Sequence, residues 1–135
     1  MEMKVGALGL VAIMLSLVAS IANAGEGPAV WYKPNDKGVY YPSACSDGDE
    51  GIWVAGLSDT LWRGKAESCG KYYKVTCIGG ENFAPHPCKP GTSVVVKIVD
   101  YCRPICNGDL NLSMDAFSQI ADLTAGKVRV QYDPL

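Results

Sequence analysis

A single histidine, His86, is all the chain contains, and it sits between Pro85 and Pro87. No second ligand cluster accompanies Cys102-x-x-x-Cys106, so no metal site is expected, and nothing calls for a cofactor. Charge of one sign is also lacking: 12 Lys and Arg stand against 14 Asp and Glu, a net charge of −2 with the two signs interspersed. A phosphate backbone would need a basic stripe, and a membrane surface a basic amphipathic helix; the sequence has neither. Internal repeats and low-complexity tracts are absent. These absences point to a neutral partner, such as a glycan, or to another protein.

What is present begins with a segment unlike the rest. Lys4 opens it, an apolar stretch from Val5 to Ala22 follows, and Ala22-Asn23-Ala24 supplies the small-x-small pattern that signal peptidase cuts. A membrane anchor is the alternative, but no basic stop-transfer flank follows. Residues 1–24 are thus expected to be a cleaved signal peptide, leaving residues 25–135 as one secreted domain with no membrane insertion. All six cysteines, Cys45, Cys69, Cys77, Cys88, Cys102 and Cys106, lie in that domain. An even count behind a secretory signal predicts three disulfides, which a core this small would benefit from.

The mature part reads as all-β with short helices. β-branched and aromatic runs alternate with Gly, Pro, Asn and Asp. Strands are expected at Ala29–Tyr32, Ile52–Ala55, Tyr72–Cys77, Ser93–Tyr101 and Lys127–Tyr132, with Gly79-Gly80 starting a turn. In the Ser93–Tyr101 run, Val94, Val96 and Ile98 share one face, and Asp100 falls on it where the strand ends. Ser58 is placed as the cap of a short helix carrying Leu61 and Trp62. Ser113 is placed as the cap of a helix in which Ala116, Phe117, Ile120 and Ala121 recur at helical spacing.

Several motifs then resemble a known family. They are Cys69-Gly70, Tyr72-x-x-Val75-x-Cys77, Cys88-x-Pro90-Gly91, Ser93 to Asp100, and Leu112-Ser113-x-x-Ala116-Phe117-x-x-Ile120-Ala121. The order is similar to that of the six-stranded double-psi β-barrel shared by expansin domain 1, barwin and family 45 endoglucanases. Pro42-Ser43-Ala44-Cys45, Pro85-His86-Pro87-Cys88 and Val99-Asp100-Tyr101-Cys102 resemble the short plant natriuretic peptides, also called EG45-like or blight-associated p12-like proteins. The resemblance implies the pairs Cys45–Cys69, Cys77–Cys88 and Cys102–Cys106. The first two would each contribute on the order of 3 kcal/mol by the chain-entropy relation, and the third would shape the loop after Asp100.

The resemblance also frames the chemistry. Glycoside hydrolysis needs two carboxyls flanking the scissile oxygen. In the endoglucanases the acid is the Asp of a His-Phe-Asp-Leu-Ser motif, and the matching stretch here is Asp109-Leu110-Asn111-Leu112-Ser113. Asn111 stands at the acid position, and an amide donates no proton at a useful pKa. No Asp follows Tyr32 at the base position, and Asp36 belongs to a Pro-Asn-Asp-Lys-Gly turn. No catalytic residue is therefore assigned, and the chain reads as not an enzyme. Tyr32, Asp100, Asp109 and Asn111 are the groove candidates. Asp100 has two readings, a contact to a sugar hydroxyl or peptide, and a structural acceptor for its own loop. Asp109 would serve as an acid only by turning into the groove. Because Trp31 and Tyr32 alternate, only one points inward, and Tyr32 is assigned to the groove.

Asn111-Leu112-Ser113 is also an N-glycosylation sequon. The favoured reading leaves it unused because Ser113 is a helix cap. His86 reads as a plain loop histidine before a pH sensor.

By resemblance, the function expected is a monomeric, extracellular, apoplastic signalling protein. It would act on water and ion homeostasis and stress response through a plant cell-surface receptor, with activity in the segment Val39 to Trp62. The alternative is a cell-wall polysaccharide-binding or defence module.

Overall fold

A computed structural model describes residues 24–102 and 106–135. The expected signal segment lies outside them, apart from Ala24. Six strands form the frame: β1 (Gly25–Tyr32), β2 (Val54–Leu57), β3 (Tyr72–Gly80), β4 (Val94–Tyr101), β5 (Leu110–Ser113) and β6 (Lys127–Pro134). Two short helices, α1 (Lys65–Ser68) and α2 (Met114–Ile120), and a 3-10 turn at Leu123–Ala125 complete it. The strands close into a barrel in the order β1-β5-β2-β4-β3-β6. Two of its pairings, β1 with β5 and β2 with β4, are parallel, which is what makes the barrel a double-psi one rather than a meander. Among the described residues, no helix is long and apolar enough to cross a membrane.

Alternation along each strand decides what goes inside. Val94, Val96 and Ile98 of β4, Val128, Val130 and Tyr132 of β6, and Leu110 and Leu112 of β5 form one buried cluster. Phe117 and Ile120 of α2 plug it. Ser113 caps that helix, accepting from the Ala116 amide at 3.1 Å and donating to the Ile52 carbonyl at 2.5 Å. A cap of this kind contributes about 1 kcal/mol. The three disulfides are Cys45–Cys69, Cys77–Cys88 and Cys102–Cys106, with Cα separations of 5.7, 5.4 and 5.3 Å.

Four local expectations need correcting. The second strand runs Val54–Leu57, two residues later than expected at each end. Ser58 caps no helix. Its carbonyl accepts from the Leu61 and Trp62 amides in a turn, and the helix waits until Lys65. Gly79-Gly80 continues β3 rather than starting a turn, because a bulge between Cys77 and Gly79 lets the strand keep its pairing with β6. Finally, β5 went unforeseen: Leu110 and Leu112 alternate, but Gly108-Asp109 before them reads as a turn.

A second, smaller cluster lies outside the barrel wall. Val54 and Val99 pack there against Tyr40, with Tyr32, Cys45 and Met114 at its edge. It fastens the irregular segment between β1 and β2 over the barrel, and the Tyr40 hydroxyl donates to Asp115 at the start of α2 at 2.7 Å. Burial first, and then that carboxylate, push the Tyr40 hydroxyl up to about 12.

Candidate functional site

The groove is the outer face of β1, β5, β2 and β4, and sheet registry brings its side chains together. Ala29 and Leu110 face inward, so their successors Val30 and Asn111, which are register partners, face outward. Tyr32 follows Val30 on the same face, while Trp31 turns in toward Phe117 at 6.4 Å and donates its indole N–H to the Leu123 carbonyl at 3.1 Å. On the far side, Asn111 pairs with Gly56, and Gly56 with Asp100.

Asp100 reaches that face through a bulge. Ala55 pairs with Ile98 but Gly56 pairs with Asp100, so Val99 is an extra residue in β4. The expected placement of Asp100 on the Val94/Val96/Ile98 face is therefore wrong by one step. The bulge turns Asp100 outward, where it lines the groove beside Tyr32 and Asn111. Gly56 is the residue the sequence reading missed. A Cβ there would lie 3.3 Å from the Asp100 carbonyl and 3.4 Å from its Cβ, so the close approach suits glycine. A glycine interrupting Val54–Leu57 is the signal that marks such an approach.

Two adjoining hollows, of about 440 and 310 Å³, make up the groove and share Tyr32 and Asp100. Cys102, Cys106 and Asn107 line one end, and Tyr41, Pro42 and Ser43 line the other. Asp100 accepts from the Ala44 amide at 2.9 Å, which ties the segment carrying Cys45 down over the groove. The Tyr32 ring meets Tyr40 edge-on at 5.3 Å. Its hydroxyl is held protonated far above the ordinary phenol range, by burial first and by the Asp100 carboxylate second. The groove thus offers a neutral donor on Tyr32, a carboxylate acceptor on Asp100, and an amide on Asn111 that both donates and accepts.

Asp109 does not join them. Its carboxylate accepts from the Tyr132 hydroxyl at 2.9 Å, and it fills the space that Gly27 leaves: a Cβ on Gly27 would sit 2.0 Å from Oδ2. Its amide donates to the Pro28 carbonyl at 2.7 Å, which fixes the turn that carries it away from the groove. The expectation of Asp109 as a groove residue is corrected on that ground. His86 also lies elsewhere, beside Lys89, Asp122 and Thr124 in a hollow outside the groove. Among the described residues, no three His, Cys, Asp or Glu side chains are grouped to hold a metal ion.

Comparison with known proteins sets this geometry in a family. A family model described as lytic transglycolase matches residues 54–132. EG45-like domain containing protein 2 of Arabidopsis thaliana is 40% identical over 134 residues, covering 99% of this chain and 98% of its own. This chain belongs to the EG45-like domain family. Another EG45-like domain containing protein, from Citrus jambhiri, is 41% identical over 128 residues and 93% of each chain. Among solved structures, a mutant expansin of Clavibacter michiganensis in complex with cellohexaose matches at a TM-score of 0.62 and 25% identity. The match covers 83% of the EG45-like chain but only 50% of that expansin. The EG45-like barrel is thus an expansin-like module that spans half the length of the expansin it resembles.

Proposed function

We propose that this protein is a secreted, non-enzymatic signalling module of the plant natriuretic peptide type, acting outside the cell on water and ion balance and stress response. The observation that carries the reading is the segment between Val39 and Trp62. Cys45–Cys69 and the Ala44–Asp100 bond pin it to the barrel, yet Tyr41, Ile52 and Trp53 are left 37%, 40% and 43% exposed. Large apolar side chains presented on a fixed segment are suited to burial against a protein receptor, at little ordering cost. The near-complete overlap with the EG45-like relatives supports the same reading. So does the amide at Asn111, which offers no acid for glycoside hydrolysis. Nanomolar folded protein is expected to swell wall-free plant protoplasts, and Trp53→Ala to weaken that response severalfold. Protoplasts that keep their volume would overturn the reading.

A second reading is supported by the groove itself: binding of a cell-wall polysaccharide. Tyr32, Asp100 and Asn111 suit a hydroxyl-rich neutral chain, and the expansin relative was solved with cellohexaose. Retention on cellulose, xyloglucan or chitin that drops with Tyr32→Ala would favour it. Passage through all three without retention would remove it.

A further inference from the structure

The loop that leaves β3, Glu81 to Pro87, carries the most exposed large apolar side chain among the described residues: Phe83 is 105% exposed. A lone exposed apolar residue needs no explanation. This one is held out by both of its neighbours. Asn82 donates through Nδ2 to the Ala125 carbonyl at 2.8 Å, and its Oδ1 accepts from the Ala84 amide at 3.0 Å. Ala84 packs against the barrel core. The loop curls over Gly80, where the Asn82 and Ala84 carbonyls lie 3.5 and 3.7 Å from the place a Cβ would take. Its two ends are fastened as well. Cys77–Cys88 closes it, Glu81 meets Arg129 of β6 at 3.2 Å, and the Pro87 carbonyl accepts from the Asp122 amide at 2.9 Å. None of these residues lines the groove or belongs to the segment Val39 to Trp62.

We propose that Glu81 to Pro87 is an inhibitory loop for chymotrypsin-like serine proteases, with Phe83 in the specificity pocket and Phe83–Ala84 as the bond presented for cleavage. An aromatic ring at the tip of a stapled loop suits the hydrophobic slot by which such enzymes select the residue before the scissile bond. A loop already fixed in shape binds at little ordering cost. What makes it an inhibitor is its behaviour under attack. The protease serine adds to the Phe83 carbonyl, the Phe83–Ala84 bond breaks, and Phe83 becomes an ester of that serine. The serine's proton passes through the protease histidine to Ala84, which leaves as a free amine. In an ordinary substrate the amine diffuses away and water hydrolyses the ester. Here the Ala84 nitrogen is the atom that Asn82 Oδ1 holds across the cut, and Asn82 is itself tied to Ala125. The Cys77–Cys88 bond keeps the two chain halves together. The amine therefore stays beside the ester at high effective concentration and re-forms the peptide bond, so the protease remains occupied. This is a second activity, and it rests on neither reading above.

The test incubates the folded, disulfide-bonded chain with chymotrypsin and with trypsin, following residual protease activity and, by mass spectrometry, cleavage of the chain. Inhibition of chymotrypsin by micromolar chain is expected, with Phe83–Ala84 cut only slowly and trypsin unaffected. Phe83→Ala, which removes no buried surface, should weaken inhibition about a hundredfold, the scale of a central anchor residue. Phe83→Lys should move the inhibition from chymotrypsin to trypsin. Asn82→Ala should turn the inhibitor into a substrate that is cut rapidly after Phe83. Rapid cleavage of the unaltered chain after Phe83 would show a plain exposed loop, and inhibition that survives Phe83→Ala would place the contact elsewhere. Either result, or full chymotrypsin activity at a large molar excess of the chain, overturns the proposal.

Discussion

The groove and the barrel seam each turn on one aspartate, and the two regions hold it by different means. At the groove, Asp100 sits on a bulge and reaches across to the Ala44 amide of an irregular segment. What keeps that segment in place is the Cys45–Cys69 bond and the small cluster of Tyr40, Val54 and Val99. At the seam, where β1, β5 and β6 meet, Asp109 is gripped by regular structure. Its amide bonds to Pro28, its carbonyl accepts from the Ser58 amide at 3.0 Å, and its carboxylate holds Tyr132. The groove owes its shape to a staple and a cap of loop; the seam owes its shape to sheet registry and glycine. That difference separates a surface open to ligands from a joint that is closed to them.

The largest effect expected is at the staple. Replacing both Cys45 and Cys69 by serine should cost about 3 kcal/mol, read as a lower urea midpoint, because the bond closes a long loop in the unfolded chain. Hydrogen exchange should then show where the loss falls: the Ala44 amide loses protection while the Asp109 amide keeps it. Equal loss at both would mean that groove and seam are one cooperative unit.

A smaller loss is expected at the seam. Gly27→Ala forces the Asp109 carboxylate aside and with it the Tyr132 bond, for about 2 kcal/mol, the ordinary cost of overpacking. Thermal unfolding measures it. The amide signals of Tyr32, Asp100 and Asn111 should stay where they are in this variant, which is the opposite of the staple mutant's pattern.

How much of this could be read from residues alone depends on range. Local periodicity was enough for β6, for the Val94, Val96 and Ile98 face of β4, for the Ser113 cap, and for putting Trp31 and Tyr32 on opposite faces, because each rests on neighbours in sequence. The position of Asp100 was misread because period-two counting assumes an unbroken strand, and nothing in Ile98-Val99-Asp100 announces the bulge. Only pairing with Ala55 and Gly56, far away in the chain, creates it. The partners of Asp109 were out of reach for a related reason. Gly27 and Tyr132 come from the first and last strands, and a parallel β1–β5 contact has no local signature. Ser58 failed as a cap because Ser before an apolar pair is a weak signal when the chain makes a turn instead of a helix.

The two aspartates also leave separate marks on two tyrosines, and the smallest effect predicted tells them apart. Tyr32 and Tyr132 both have hydroxyls held protonated well above the ordinary phenol value, by burial first. The next contribution to Tyr32 is the charge of Asp100, and to Tyr132 the hydrogen bond to Asp109. A folded-state pKa above the unfolded value means that the unfolded chain releases protons first as pH rises. These two groups therefore stabilise the fold fully below about pH 10, and their contribution drains away above it. Alkaline titration followed by tyrosinate absorbance should show a late class of phenols that ionise in the folded state after the exposed tyrosines. Asp100→Asn should bring the Tyr32 step to lower pH and leave Tyr132 alone, since an amide carries no charge to repel a phenolate. Asp109→Asn should do the reverse. Tyr32→Phe and Tyr132→Phe assign the two steps. If either aspartate variant moves both, the two carboxylates act on a common environment, and the separation of groove from seam is lost.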